Sequence, residues 1–338
     1  MGMKGIERVR IIVFACVLGA FLLMSCKGEE QPMNSMYYWS TTLRMDSAKL
    51  AFIENHHVGR LYVRYFDVVV DDKGEVMPNA TVKAPLLSPQ GDEDSTPHSL
   101  VSPQNEILNK MEVVPTIFIV NDVMRKDTEG LAERILKRVM QMNETHGIKN
   151  VHEIQIDCDW SVKTRQRFFS FMEELHSLTK KHGLRLTSTI RLHQLAQRPP
   201  SCDKGVLMMY NTGDFTKFSE EHPILDIQVA SKYLRYLKDY PLPLATAYPI
   251  FGWDVVFREG DKSGTFIFVG LLHFEGELPV MPGDTIVRRE PTVQEIMQAR
   301  EAIGKIRPDA NSEVILFDLS NSNISRFKTK EYEEIFGH

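Results

Sequence analysis

The segment Ile154-Gln155-Ile156-Asp157-Cys158-Asp159 gives the strongest indication of the architecture of the chain. Apolar and polar residues alternate along it, which is typical of a β-strand whose two faces meet different surroundings. The polar face carries two carboxylates, and Trp160 and Ser161 follow at its carboxyl end. A strand with one face toward packed helices and the other toward an enclosed interior is typical of a barrel.

Similar short runs recur along the chain and alternate with helical patterns. Thr292 and Glu295, for example, form a capping box at the start of a helical pattern. The predicted strands are 36–42, 60–69, 114–120, 152–159, 184–192, 205–210, 244–248 and 313–318. The predicted helices are 47–55, 129–145, 168–178 with Gly183 as a stop, 225–240, 292–306 and 329–336.

Eight strands that alternate with helices predict a single α/β domain, a (β/α)8 TIM barrel over residues 36–338. The alternative is an open doubly wound sheet, but the glycine-rich turn that a dinucleotide-binding sheet needs after its first strand is missing. Two insertions, 71–112 after the second strand and 251–287 after the seventh, interrupt the alternation. The first is expected to be irregular with at most a short hairpin, and the second to contain a β-hairpin. Both follow strand ends, where they would shape a pocket.

The first 25 residues resemble a bacterial lipoprotein signal peptide, with a basic start and an apolar run of 14 residues from Ile11. Leu23-Met24-Ser25-Cys26 resembles a lipobox, which predicts acylation (palmitate) of Cys26 and a tether over residues 26–35. The alternative is an uncleaved signal anchor. We therefore expect a lipid-anchored protein of the cell envelope, on the outer membrane, either periplasmic or exposed at the surface.

Charge and cysteine content exclude several classes of protein. The formal net charge is −5, and a nucleic-acid partner is not expected. Cys158 and Cys202 are the cysteines left after Cys16 and Cys26, and a buried free Cys158 is favoured over a disulfide between them. No metal-ligand spacing, peptidase motif or nucleotide-binding loop is present, so neither a structural zinc nor a cofactor is expected.

Asp157 and Asp159 are the candidate catalytic residues. Alternation places both on the interior face of the fourth strand, with α-carbons roughly 6.5 to 7 Å apart. Two enclosed carboxylates require a nearby cation or a raised pKa, and a raised pKa suits a general acid. The alternative is a structural role, with the aspartates paired to Arg64 of the second strand or Arg191 of the fifth.

Two short motifs resemble chitinase-type family-18 glycoside hydrolases. Residues 154–161 resemble the fourth-strand signature of that family, and residues 206–211 resemble its sixth-strand Met-x-Tyr-Asp pattern. The resemblance implies a glycan ligand and a substrate-assisted mechanism in which a glutamate donates the proton. Here Ser161 stands in place of that glutamate and Asn211 in place of the second acid. Either Asp159, or Asp67 or Asp318 from another strand, has taken over the role of the acid, or hydrolysis has been lost.

A second resemblance, to an uncharacterised family of bacterial barrel proteins, covers most of the mature chain and implies the fold without an activity. It rests on three motifs: Arg64-Tyr65-Phe66-Asp67-Val68, residues 156–159, and Tyr248-Pro249-Ile250-Phe251-Gly252-Trp253.

Aromatic and polar side chains at the predicted strand ends suit the binding of sugar rings. The predicted substrate-binding residues are Trp39, Arg64, Asp67, Gln155, Trp160, Arg191, Tyr210, Asn211, Tyr248, Trp253 and Asp318. Three hypotheses follow: a glycoside hydrolase of the cell envelope, a catalytically inactive glycan-binding lipoprotein, and a scaffold that docks a protein partner.

Overall fold

The computed structural model describes residues 32–83, 103–261, 264–272 and 280–337. The predicted signal peptide and Cys26 lie outside these residues, as do part of the first insertion and part of the second. Residues 32–338 belong to one compact unit. No helix among the described residues is long and apolar enough to cross a membrane.

Eight parallel strands form a closed barrel, which confirms the predicted (β/α)8 fold. The strands of the chain are β1 (Met33–Tyr38), β2 (Arg60–Val70), β3 (Val76–Asn79), β4 (Glu112–Ile119), β5 (Glu153–Asp157), β6 (Arg185–Arg191), β7 (Lys204–Met208), β8 (Leu244–Pro249), β9 (Trp253–Glu259), β10 (Phe266–Leu271), β11 (Thr285–Arg289) and β12 (Glu313–Phe317). The barrel order is β1-β12-β8-β7-β6-β5-β4-β2, and β1 pairs with β2 to close the ring.

Helices pack around the outside of the barrel. They are α1 (Ser47–Asn55), α2 (Pro103–Lys110), α3 (Leu131–His146), α4 (Arg165–Lys181), α5 (Ile227–Leu234), α6 (Val293–Ile306), α7 (Asn321–Ile324) and α8 (Thr329–Phe336). The main core lies between them and the outer faces of the strands. A short 3-10 turn, Leu192–Ala196, follows β6.

Strand β1 begins three residues before the predicted start of the domain. Asn34 and Ser35 are buried, and the Ser35 hydroxyl donates to Glu313 Oε1 at 2.8 Å. A pattern based on hydropathy misses the start of the strand because these residues are polar. The barrel therefore includes part of the segment that the sequence assigns to a tether.

A smaller apolar cluster fills the barrel interior, centred on Tyr37 and Tyr62, whose rings lie 5.1 Å apart. Below it, at the amino-terminal ends of the strands, Glu313 is surrounded by donors. Arg60 Nη1 lies 2.7 Å and Lys204 Nζ 2.9 Å from its Oε2. This buried ionic cluster closes one end of the barrel, so the opposite end is left to form a site.

Both insertions contain antiparallel strands. The first places β3 against β2 in a short hairpin. The second forms a three-stranded sheet in the order β10-β9-β11, one strand more than the predicted hairpin. Its inner face carries an aromatic cluster in which Phe218 stacks on Phe266 with ring centroids 3.7 Å apart. The insertions leave the carboxyl ends of β2 and β8, beside the mouth of the barrel.

Candidate functional site

Arg191, at the carboxyl end of strand β6, contacts both Asp157, the last residue of the neighbouring strand β5, and Asp159, two residues beyond it. Its Nη2 donates to Asp157 Oδ1 at 3.0 Å, and its Nε contacts Asp159 Oδ1. The Thr189 hydroxyl also donates to Asp157 Oδ1, at 2.7 Å. Of the two cations that the sequence offered as partners, the structure brings Arg191 to the aspartates.

Strand order explains why Arg64 is not the partner. Strand β2 is separated from β5 by β4, whereas β6 is hydrogen-bonded to β5 directly. Arg64 instead forms an ion pair with Asp67 of its own strand, and its guanidinium lies 5.3 Å from the centroid of the Trp39 ring. Asp67, a candidate acid in the sequence, is therefore already paired to a cation.

Burial raises the pKa of Asp157 above its ordinary value, although Arg191 and the Thr189 hydroxyl act in the opposite direction. Its side chain is 8% exposed, whereas that of Asp159 is 58% exposed. Asp157 thus belongs to the interior, and Asp159 faces solvent at the mouth.

A pocket of about 330 Å³ opens beside Asp159 and Arg191; we call it the mouth pocket. Its other lining residues are Leu192, His193, Tyr210, Asn211, Thr212 and Tyr233. Tyr210 is held edge-on against Phe251 and tilted against Phe317, with ring centroids 5.7 and 5.5 Å away. Apolar rings, hydroxyls, an amide and a charge thus converge on one concavity, an arrangement typical of a small-ligand site.

His193 is a mouth-pocket residue that the sequence does not identify. It lies in the turn after β6, and burial lowers the pKa of its imidazole while Asp159 raises it. A lone histidine outside any motif carries no signal of its own. Its position immediately after the carboxyl end of a barrel strand is the one feature that could have found it.

Asn211 follows β7 with a positive φ of 56°, a conformation that asparagine tolerates better than most residues. Deeper in the barrel, Gln155 is fully buried and its Oε1 accepts a hydrogen bond from the Tyr37 hydroxyl at 2.7 Å. Its Nε2 has no hydrogen-bond partner among the described residues. Gln155 therefore supports the floor below the mouth and does not line the pocket.

Trp160 and Tyr248 do not face the mouth, contrary to expectation. Trp160 is 2% exposed and packs on Phe168 and Phe169 of α4, with ring centroids 6.1 and 5.2 Å away. Tyr248 is fully buried in the same outer core, and its hydroxyl donates to Asn311 at 2.7 Å. Alternation explains both positions: Asp159 and Ala247 point inward, so the next residue of each points outward.

Trp253 and Asp318 lie on the side of the mouth near the second insertion. Trp253 is half-buried, with its ring 4.9 Å from that of Phe215 and 5.3 Å from that of Phe251. Asp318 follows β12 and accepts a hydrogen bond from Asn323 Nδ2 at 2.5 Å. Burial raises the pKa of Asp318, although neighbouring donors lower it. Neither residue lines the mouth pocket.

Ser161 belongs to the turn that leads into α4. Its hydroxyl lies 3.2 Å from the Thr164 hydroxyl, and its backbone N–H donates to that oxygen at 2.9 Å. Thr164 donates in turn to Asn121 at 2.6 Å. The position that corresponds to a proton donor in the resemblance thus carries no carboxyl group. No group of three or more His, Cys, Asp or Glu in the described part of the chain could hold a metal ion.

Comparison with known proteins shows the fold. No protein-family model and no curated protein matches the sequence. Among solved structures, the spore cortex-lytic enzyme SleL of Bacillus megaterium is similar at a TM-score of 0.56 and 9% identity, covering 91% of this chain and 74% of that one. A chitinase of Chromobacterium violaceum is similar at a TM-score of 0.54 and 11% identity, covering 91% and 99%.

A third structure is catalytic domain 2 of a Group II chitinase from Ostrinia furnacalis, solved with penta-N-acetylchitooctaose. It is similar at a TM-score of 0.52 and 12% identity, covering 90% of this chain and 96% of that one. The chain therefore has a glycoside-hydrolase-like TIM-barrel fold. At these identities, function must be argued from the site itself.

Proposed function

We propose that the mouth of the barrel binds a glycan and does not hydrolyse it through Asp157 or Asp159. The observation that carries the proposal is that Arg191 contacts both Asp157 and Asp159. Arg191 occupies Oδ1 of both carboxylates, and it favours the ionised form of Asp157 against the opposing effect of burial. Ser161, which replaces the expected glutamate, is engaged at the start of α4.

The mouth pocket supports sugar binding by its shape and chemistry. Its volume of about 330 Å³ is at the small end of ligand sites and suits a single sugar ring. Tyr210 and Tyr233 offer apolar ring faces, and Asn211 and Thr212 offer groups that hydrogen-bond to hydroxyls. The related fold of the Ostrinia furnacalis chitinase, solved with a chito-oligosaccharide, makes a glycan the first class of ligand to test.

A second candidate function is hydrolysis with a relocated acid. The observation that favours it is that burial raises the pKa of Asp157 and of Asp318 above the ordinary value, and a raised carboxyl pKa suits a general acid. For either aspartate to serve, substrate would have to displace its present hydrogen-bond partner. Formation of new reducing ends separates this candidate from binding alone.

We also propose that the protein is anchored to an envelope membrane. A signal peptide over residues 1–25 and acylation of Cys26 would tie the barrel to the outer membrane. Metabolic labelling with a palmitate analogue, compared between wild type and Cys26→Ala, tests the anchor. Protease treatment of whole cells then tests which side of the membrane the barrel faces.

Binding at the mouth pocket is tested by equilibrium titration of the full-length chain, in a non-ionic detergent, with a panel of glycans. Tyr210→Ala is expected to weaken binding at least about tenfold, because it removes a ring face of the pocket. Tyr248→Phe is the matched control, since that tyrosine lies in the outer core. Equal affinity of wild type and Tyr210→Ala would contradict the proposal, and a stoichiometric protein partner would then favour the scaffold.

A further inference from the structure

A second pocket on the same end of the barrel is lined by cations. It measures about 650 Å³ and is lined by Met124, Arg125, Thr128, Lys163, Gln166, Arg167 and Ser170. We call Arg125, Lys163 and Arg167 the basic rim. Among the described residues, none that lines this pocket carries a carboxylate, although the whole chain has a formal net charge of −5. The basic rim is therefore a local reversal of the overall charge.

The basic rim lies beside the mouth, on the connections after β4 and β5 and on the first turn of α4, which contains Arg167. Arg125 ends the 3-10 turn Asn121–Arg125 after β4, and Lys163 lies in the turn after β5. Strands β4 and β5 are neighbours, with Phe118 opposite Asp157. Lys163 follows Asp159 of the mouth pocket by four residues, so the two pockets share one connection between β5 and α4.

The charges of the basic rim are largely uncompensated. Arg125 has a partner in Asp122 at 3.4 Å, but both side chains are more than 60% exposed, and such pairs contribute little. Arg167 donates to a neutral group, the Met124 carbonyl oxygen, at 3.5 Å. Lys163 is exposed and forms no ion pair within the described part of the chain. By contrast, Arg258 forms an ion pair with Asp284, with Nε and Oδ1 2.7 Å apart, so its charge is compensated.

Positive charge continues from the basic rim toward the mouth pocket. Arg165, the first residue of α4, is exposed, and its Nη1 donates to Gln197 Oε1 at 3.3 Å. Gln197 directly follows the turn that carries His193. An extended ligand that occupies the mouth pocket and runs toward α4 would thus pass the exposed Arg165 before it reaches the basic rim.

We propose that the ligand of the mouth is an anionic glycan, with one sugar in the mouth pocket and the carboxylate or sulfate of a nearby sugar on the basic rim. This inference rests on the proposed function and specifies its substrate class. Arginine suits both anions because its planar donors pair with two oxygens at once. Uncompensated charges at the edge of a cleft also attract a ligand of opposite sign before contact.

The experiment compares three glycan types of similar length: neutral, carboxylated and sulfated. Binding is measured with the full-length chain in a non-ionic detergent, at low and at physiological salt. The test variant is Lys163→Glu/Arg167→Glu, in which both changed side chains are exposed. The matched control is Lys181→Glu/Lys305→Glu, which changes the net charge equally at the carboxyl ends of α4 and α6.

We expect wild type and control to bind a charged glycan more tightly than the neutral one, and the test variant to lose at least about tenfold in affinity for it. High salt should weaken this binding, because exposed charges are screened. The carboxylated and sulfated arms show which anion is preferred.

Three outcomes would overturn the inference. In the first, a neutral glycan binds as tightly as the charged ones, and affinity falls in Tyr210→Ala but not in Lys163→Glu/Arg167→Glu. This result would leave the proposed function intact and contradict the anionic ligand. Equal binding of duplex DNA would show unspecific attraction of polyanions. Absence of binding to every glycan would overturn the proposed function and this inference with it.

Discussion

Arg191 contacts two aspartates whose surroundings differ, since Asp157 is enclosed by the barrel and Asp159 faces solvent. An enclosed carboxylate is tolerated only with a partner, because its transfer from water to the interior is costly. The arginine therefore stabilises the fold and at the same time occupies the acids that a hydrolase would use.

Arg191→Met is expected to destabilise the folded state by about 3 kcal/mol at neutral pH, because it leaves Asp157 without its cation. Urea unfolding followed by circular dichroism measures the loss. The control is Arg191→Met/Asp157→Asn, which removes the stranded charge and should recover most of the stability. If Arg191→Met alone were as stable as wild type, the role assigned to Arg191 would be contradicted.

The same variant should show a distinct pH dependence. Burial raises the pKa of Asp157 in the folded state, and loss of Arg191 raises it further. A carboxyl that binds its proton more tightly when folded stabilises the fold at low pH, and this stabilisation is lost as pH rises through the folded pKa. The destabilisation of Arg191→Met should therefore shrink as pH falls toward the ordinary aspartate range, a trend that unfolding curves at several pH values can check.

At the scale of single residues, alternation was a reliable guide inside strands. It placed Gln155 and Asp157 inward and Cys158 outward, as the structure has them. The expectation that Trp160 faces the mouth rests on its position at a strand end and not on alternation, which places it outward. His193 was missed because a pocket in a loop depends on how neighbouring strands bring their ends together.

Elements with strong local signals were predicted closely. The helices α1 and α8 have the predicted bounds, and each of the eight barrel strands overlaps its predicted segment. The prediction failed where local signals are weak. Helix α5 ends at Leu234 although its pattern runs to Tyr240, because the chain continues in turns in which Tyr236 and Leu237 donate three residues back.

The capping box of α6 provides a test at this scale. The Thr292 hydroxyl accepts from the Glu295 N–H at 3.2 Å, and Glu295 Oε2 accepts from the Thr292 N–H at 2.7 Å. Thr292→Ala is expected to lower the free energy of unfolding by about 1 kcal/mol. Gln294→Ala, an exposed neighbour in the same helix, should change it by less than about 0.5 kcal/mol. Equal effects of the two substitutions in urea titrations would argue against the cap.

The whole molecule depends on the ionic cluster at the closed end of the barrel. Burial raises the pKa of Glu313, but Lys204 and Arg60 outweigh it and hold the pKa at about 2, below the ordinary value of 4.5. The Tyr62 hydroxyl also donates to Glu313, at 2.9 Å. Contacts from β2 and β7 thus converge on β12, where first and last strands of the barrel meet.

Glu313→Gln is expected to cost about 3 kcal/mol at neutral pH, since a carboxylate with a depressed pKa stabilises the fold while it is ionised. This stability is present above the unfolded pKa and is lost as pH falls from about 4.5 through about 2. The difference in the free energy of unfolding between wild type and variant should fall to zero over that pH range, as measured by acid unfolding monitored by circular dichroism. A gap independent of pH would mean that packing, not charge, is responsible.

The fold of the whole molecule followed from the order of its strands and helices, while the site followed only in part. The order of the strands around the barrel determines which arginine pairs with Asp157. The basic rim forms because the connection after β4 and the start of α4, which are far apart in sequence, lie side by side. Neither is encoded in a local pattern.

The proposed function requires the mouth to bind a glycan without cleaving it. The most direct measurement follows bound ligand and new reducing ends in the same samples, with wild type and Asp157→Asn of the full-length chain against neutral and anionic glycans. We expect saturable binding by wild type and no new reducing ends. Reducing ends that accumulate with wild type and disappear in Asp157→Asn would contradict it and establish a hydrolase.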